Sequence, residues 1–176
     1  MLEPLVNKNR LWESLIQMAQ IGATPEGGVC RLALSEEDRQ ARELLREWLA
    51  ALEMDVQVDQ VGNMVAIRPG QEELQPVLLG SHLDTVSSGG RFDGAAGVLA
   101  GLEVLRTLED NKICTHHPLG LVVFTNEEGA RYTTDLMGSQ AFNGTLTAEQ
   151  VWSIRGSDGS LVGEELDRIG YKGEMR

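Results

Sequence analysis

Two short apolar runs that flank a long helical segment constrain the fold of this chain most strongly. The runs are PVLL at 76–79 and LGLVVFT at 119–125, and the segment GVLAGLEVLRTLED at 97–110 lies between them with helical periodicity. Short, wholly apolar strands are typical of strands buried on both faces. Strands that alternate with helices indicate an α/β sandwich around a largely parallel sheet.

The segments that follow the two apolar runs are the first place to look for a functional site. GSHLDT follows PVLL, and TNEEGARY follows LGLVVF. Ligands of open α/β sheets bind beyond the carboxyl ends of the strands. We therefore expect both loops to open onto the same rim of the sheet.

Further helices and strands are predicted on both sides of this unit. Ser35 is expected to be the N-cap of a helix, because acidic residues follow it and an apolar stripe continues to Leu52. Thr147 and Gln150 have the form of a capping box, which predicts another helix start. The remaining predictions are a helix over about 8–20, strands at 54–58 and 64–67, and a last short helix in SLVGEELDRIG.

Composition and charge exclude several classes of function. The chain has 176 residues, which suggests one domain, and its formal net charge is −12, which repels phosphate backbones and anionic lipid surfaces. Nucleic acid and membranes are therefore not expected partners. The N-terminal stretch lacks the pattern of a signal peptide, and no run approaches the ~20 apolar residues of a membrane helix. Cys30 and Cys114 form no CxxC pair, so we expect reduced thiols in a cytoplasmic protein.

The stretch GSHLDTVSSGGRFDGAAG combines an imidazole and two carboxylates with many glycines. A lone His82 near a strand end is more often structural than a ligand, but residues two apart in an extended segment share a face. Asp84 is therefore placed to orient His82, as carboxylates do for metal-bound imidazoles. Asp93 precedes the helical segment, where an N-cap role is the simpler interpretation. One carboxylate can both cap and bind, so a metal site stays open.

Glu127 and Glu128 form the second cluster of acidic groups. Two adjacent carboxylates after a buried strand are by themselves best explained as a solvated loop. A metal-dependent hydrolase, however, needs one carboxylate that binds the metal and another that removes a proton from water. Adjacent residues that leave a strand end point in different directions, so the pair can divide these two tasks.

The blocks GSHLDTVSSGGRFDGAAGVLAGLEVL and VVFTNEEGARY together resemble the M20-type metal-dependent amidohydrolases. Within that group they are most similar to the N-carbamoyl-L-amino acid hydrolase and allantoate amidohydrolase branch, the hydantoinase/carbamoylase family, as is DQVGNMVAIRPG upstream. The resemblance extends from the first helix to GYKGE. It implies a zinc-exopeptidase-like α/β/α sandwich with a mixed, largely parallel sheet, incomplete at its C-terminal side.

The same resemblance implies a role for each candidate residue. His82 would ligate one metal ion, with Asp84 orienting it, and Asp93 would bridge two divalent ions. Glu128 would ligate the second ion, and Glu127 would be the general base. The ions would be zinc, manganese, cobalt or nickel, two in each complete site. The partner would be a small ureido or carbamoyl substrate, cleaved at a linear C–N bond.

The resemblance also implies that residues 1–176 are only the N-terminal portion of a metal-binding catalytic domain. Members of the family carry two more histidine ligands and a separate lid and dimerisation domain, through which full-length members form homodimers. His116 and His117 lie before Pro118, at the opposite end of a predicted strand that spans roughly 20 Å, so they are not expected to supply those ligands. Allantoate amidohydrolase, ureidopropionase or M20 peptidase activity stays open. So does a non-catalytic fragment or a subunit that needs a partner chain.

Overall fold

The computed structural model describes residues 5–175 as a mixed α/β unit. Every helix and strand predicted above is present in this range, and α4 is an additional helix that the periodicity does not predict. The elements, in chain order, are α1 (Lys8–Met18), α2 (Glu36–Ala50), β1 (Val56–Val58), β2 (Met64–Arg68), β3 (Val77–His82), α3 (Ala95–Asp110), β4 (Leu119–Phe124), α4 (Met137–Phe142), α5 (Ala148–Trp152) and α6 (Val162–Ile169).

The described strands form one mixed sheet in the order β1-β2-β4-β3. β3 and β4 are parallel, whereas β1 pairs with β2 and β2 pairs with β4 in antiparallel fashion. The mixed α/β class is confirmed, but the expectation of a largely parallel sheet is wrong for these strands. One antiparallel pair follows from the short turn between β1 and β2, because such a turn can join only antiparallel neighbours, whereas the parallel strands β3 and β4 are joined through α3.

The helices begin where local chemistry favours them. The Ser35 side chain accepts a hydrogen bond from the Asp38 backbone N–H at the start of α2, and three acidic residues occupy its first turn. The Thr147–Gln150 capping box of α5 is present in both directions. Both predicted starts are therefore confirmed.

α3 packs against β3 and β4, and α1 packs on the outside of α3. Gly101 of α3 lies so close to the sheet that a Cβ there would be 2.7 Å from the Leu121 side chain. Ala66 is paired with Leu121 and faces the same side, within the main hydrophobic core. Ile67 points to the opposite face and is 40% exposed. The core of the described chain therefore lies on the α3 side of the sheet.

PVLL does not form a strand buried on both faces, contrary to the prediction. Val77 is exposed, and Leu78 and Leu79 are only half-buried. The cause is the position of β3, which pairs with β4 on one side and lies at the edge of the described sheet. Apolar runs indicate burial in general but carry no information about strand order. No helix among residues 5–175 has both the length and the apolarity that a membrane crossing requires.

Candidate metal centre

The parallel pairing of β3 and β4 brings the two predicted loops to one rim of the sheet. His82 is the last residue of β3 and is paired with Phe124, the last residue of β4. Glu127 and Glu128 therefore follow the neighbouring strand by only a few residues, and both are half-buried. The expected convergence of these loops is present in the structure.

His82, Asp93 and Glu128 form a group that could hold a metal ion. One donor atom from each residue lies within 4.8 Å of the others. His82 is buried, Glu128 is half-buried and Asp93 is exposed, so the group opens to solvent on the Asp93 side. Atoms that share a zinc ion at about 2.0–2.1 Å lie at most roughly 4.2 Å apart. Small side-chain rotations would therefore bring the three donor atoms within coordinating distance of one ion.

The His82 ring is oriented by a backbone carbonyl. Nδ1 of His82 lies 2.9 Å from the carbonyl oxygen of Asp84, whereas the nearer Asp84 carboxylate oxygen is 3.9 Å away. A carbonyl can only accept, so Nδ1 must carry the proton and donate it. Nε2 is then left with its lone pair on the side of the acidic cluster, where Oε2 of Glu127 lies at 3.4 Å. Nε2 is accordingly the nitrogen available to a metal ion.

The Asp84 carboxylate holds the second loop. It is almost completely buried and accepts hydrogen bonds from the backbone N–H groups of Glu127 and Glu128, each at 3.2 Å. Burial, aided by the negative charge of Asp38, raises the pKa of Asp84 to about 6. Asp84 thus joins the two loops, a contact that the sequence argument, which considered only His82, did not include.

Asp93 does not have the capping role that its position favours. The N-cap of α3 is Gly94, and no side chain of the described residues caps that helix. Burial, together with the negative charge of Asp93, raises the pKa of Glu128. Two carboxylates that repel each other at an open rim are the arrangement that a bound cation stabilises.

Gly94 is part of the geometry of this centre. It has φ +61°, and a Cβ at this position would lie 2.5–2.6 Å from three atoms of the His82 ring. Substituting Gly94→Ala is therefore expected to displace the ring and weaken metal binding, measured as the dissociation constant for Zn²⁺. Gly159→Ala is the matched control, because Gly159 also has positive φ (+84°) but has no atom within 4 Å of its Cβ position. Equal effects of the two substitutions would show that backbone strain alone is responsible.

Asn63 lies in the DQVGNMVAIRPG block and is a supporting residue to which the sequence analysis assigned no role. Its buried side chain donates to the Asp59 carboxylate and to the Gly138 carbonyl, and its oxygen accepts from the Thr125 backbone N–H at 2.9 Å. It therefore fixes the chain two residues before Glu127. The sequence around Asn63 does not indicate these distant partners.

His116 and His117 lie away from the cluster. Both are exposed and precede β4 at the end of the strand opposite to Glu127. His116 contacts Glu72 at 3.2 Å, and Nδ1 of His117 lies 3.0 Å from the Gln75 carbonyl oxygen. The structure therefore keeps them apart from His82, as expected.

A sequence model of peptidase family M28 matches residues 63–158, which is more than half of the chain. The chain belongs to peptidase family M28. The matched range contains His82, Asp93 and Glu128. This match names family M28, whereas the sequence resembled M20-type enzymes. The carbamoylase branch named with that resemblance is found among the curated relatives of the chain.

Curated relatives of this M28 chain are longer proteins. It is 42% identical over 170 residues to an N-carbamoyl-L-amino-acid amidohydrolase of Rhizobium meliloti and 38% identical over 167 residues to one of Geobacillus stearothermophilus. The alignments cover 96% and 94% of this chain but 41% of each relative. The M28 chain thus spans about two fifths of the length of these relatives.

A solved structure shows the same fold over nearly the whole chain. The crystal structure of a hydantoinase/carbamoylase family amidase from Burkholderia ambifaria matches this M28 chain with a TM-score of 0.95 at 49% identity. The match covers 97% of this chain and 42% of the amidase. The architecture described above therefore matches one part of that longer structure.

Proposed function

We propose that this chain is the metal-binding and catalytic part of a metal-dependent hydrolase that cleaves linear amide C–N bonds, with N-carbamoyl-L-amino acids as substrates. The observation that carries the proposal is the approach of His82, Asp93 and Glu128 to within 4.8 Å, with Glu127 beside the free nitrogen of His82. The names of the relatives from Rhizobium meliloti and Geobacillus stearothermophilus support the choice of substrate.

The donor set fits a catalytic divalent ion. One imidazole and two carboxylates are hard or intermediate ligands that suit zinc and manganese, and three protein ligands leave a coordination position open. His82, Asp93 and Glu128 would hold the ion. We propose two divalent ions in the complete site, zinc, manganese, cobalt or nickel, and Asp93 would be a ligand of both. A second ion needs donors beyond these three residues.

The chain's own residues would divide the hydrolysis as follows. A bound divalent ion would polarise the scissile carbonyl and make a nearby water easier to deprotonate. Glu127 would accept that proton as the oxygen attacks the carbonyl carbon, and would then donate it to the departing nitrogen as the C–N bond breaks. Asp84 would hold Glu127 and Glu128 in place through their backbone N–H groups. The net change is the addition of one water across the C–N bond.

Allantoate amidohydrolase is the second candidate, followed by ureidopropionase or peptidase activity. An allantoate amidohydrolase of Bacillus subtilis is 29% identical over 165 residues, below the 42% of the Rhizobium meliloti carbamoyl enzyme. The higher identity favours carbamoyl amino acids.

A non-catalytic form, or a subunit completed by a partner chain, stays open because the relatives are more than twice as long. We place the protein in the cytoplasm on the argument from its two unpaired cysteines.

A substrate panel tests the proposed activity. The longest form of the protein that contains this chain would be dialysed against a chelator, reloaded with Zn²⁺, Mn²⁺ or Co²⁺, and assayed with N-carbamoyl-L-amino acids, allantoate and dipeptides. We expect turnover of carbamoyl amino acids that is lost on chelation and restored by metal. Preference for allantoate would select the second candidate, and no metal-dependent turnover on any member would overturn the proposal.

A further inference from the structure

Arg31 is a buried arginine whose side chain donates a hydrogen bond to Leu83, between His82 and Asp84. The residue is 1% exposed, although burying a cation is costly unless it is well paired. Among residues 5–175, its side chain donates to backbone carbonyls: Nη1 to Met18 and Ile21 at 3.1 and 2.9 Å, and Nε to Leu83 at 2.6 Å. Burial lowers the pKa of Arg31, and the negative charges of Asp38 and Asp84 oppose that change.

Two of these contacts have a simple structural explanation. Met18 is the last residue of α1, so Nη1 satisfies carbonyl groups at a helix C-terminus, where arginine is favourable. The contact of Nε is different, because Leu83 is not part of that helix. Leu83 lies directly between His82 and Asp84, and its carbonyl direction is set by the same backbone that aims both side chains. The guanidinium thus ties the end of α1 to the residue after the proposed metal ligand.

The backbone around Arg31 strengthens this connection. The Arg31 N–H donates to Oγ1 of Thr85 at 2.8 Å, and the Thr85 N–H donates to the Arg31 carbonyl at 2.8 Å. Val29 and Gly89 exchange a pair of backbone hydrogen bonds. Residues 29–31 therefore lie against residues 83–89 as a short strap, and Arg31 is the member of the strap whose side chain reaches the loop between His82 and Asp84.

We infer that Arg31 is a positioning residue for the metal centre. Through its hydrogen bond to the Leu83 carbonyl, Arg31 sets the direction of the His82 imidazole and of the Asp84 carbonyl. The inference rests on the proposed function, because it assumes that His82 binds metal. It assigns to Arg31 a role in metal affinity beyond capping α1. Partners that orient metal ligands typically affect affinity by 10–100-fold, which gives the effect a measurable size.

The test is a Co²⁺ titration of the 176-residue chain followed by visible absorption, which reports both affinity and ligand geometry. Arg31→Met is expected to weaken Co²⁺ binding about 10-fold or more and to change the absorption bands. Arg31→Lys keeps the positive charge but not the planar guanidinium, so its dissociation constant for Co²⁺ is expected to lie between those of the wild type and Arg31→Met. Leu105→Ala is the control for general loosening, because it opens a cavity in the middle of α3 and should lower the melting temperature with an unchanged dissociation constant.

The outcomes separate this inference from the proposed function. The positioning role would be wrong if folded Arg31→Met had the Co²⁺ affinity and absorption bands of the wild type. It would also be wrong if Leu105→Ala weakened Co²⁺ binding as much as Arg31→Met does. In both cases the metal centre would stand if His82→Ala abolished binding. If the wild-type chain binds no Co²⁺, or His82→Ala binds it equally well, the metal centre itself is wrong and the inference fails with it. If Arg31→Met does not fold, Thr85→Val removes the hydrogen bonds that the Thr85 hydroxyl makes with Arg31 and Val29 of the same strap, and the same loss of affinity is expected.

Discussion

Substituting Glu127→Gln is expected to lower kcat by about 10²–10⁴-fold while metal content stays unchanged. Glutamine has nearly the shape of glutamate but cannot accept and return a proton. Glu127 lies 3.4 Å from Nε2 of His82, yet it is outside the group formed by His82, Asp93 and Glu128. Steady-state kinetics on the longest form of the protein, with elemental analysis of bound metal, measures both quantities.

The control for this substitution is Glu149→Gln, which removes an acidic group from the exposed first turn of α5. It should leave kcat unchanged. If Glu127→Gln retained activity within about tenfold of the wild type, the base would be another residue. If it lost metal together with activity, Glu127 would be a ligand and the assignment of Glu127 and Glu128 would be reversed.

The second large effect is expected for His82→Ala, which should weaken binding of Zn²⁺ by more than about 100-fold. His82 supplies the single imidazole of the group, and loss of a direct ligand exceeds the 10–100-fold effect of an orienting partner. The His82 side chain is buried at a strand end, and alanine would remove its nitrogen ligand. The neighbouring carboxylates offer only oxygen atoms in its place. Isothermal titration calorimetry of the 176-residue chain measures the dissociation constant.

His116→Ala is the matched control for His82→Ala. His116 is exposed and contacts Glu72 near the other end of β4, so its removal should not change metal affinity. Loss of binding in His116→Ala with no change in His82→Ala would move the site to the loop before β4. Unchanged affinity in both variants would show that neither histidine binds the ion.

Local patterns in the sequence were sufficient for most of the fold. Ser35 and Thr147 begin helices because capping depends on residues three positions away, which the sequence shows directly. Strand order depends on contacts between distant segments. The edge position of β3 and the antiparallel pairing of β2 with β4 were therefore not predicted. The short helix α4 was missed as well; it begins after Leu136, which has positive φ, and no side chain caps it.

The candidate site could be predicted in part for the same reason. His82 and Glu128 follow apolar strands, and the rule for carboxyl ends of parallel strands brings them together without knowledge of other contacts. Arg31 and Asn63 support those residues through hydrogen bonds to Leu83 and Thr125, 52 and 62 positions away. Asn63 lies in the DQVGNMVAIRPG block, but neither residue has a local pattern that indicates its distant partners, so only the folded chain reveals them.

The most direct test of the metal centre is anomalous diffraction from crystals of this chain grown with Zn²⁺. We expect a peak about 2.0–2.2 Å from Nε2 of His82 and from one carboxylate oxygen each of Asp93 and Glu128. A peak at another position, for example between Glu72 and His116, would contradict that account. So would a zinc-saturated crystal without density among those three side chains.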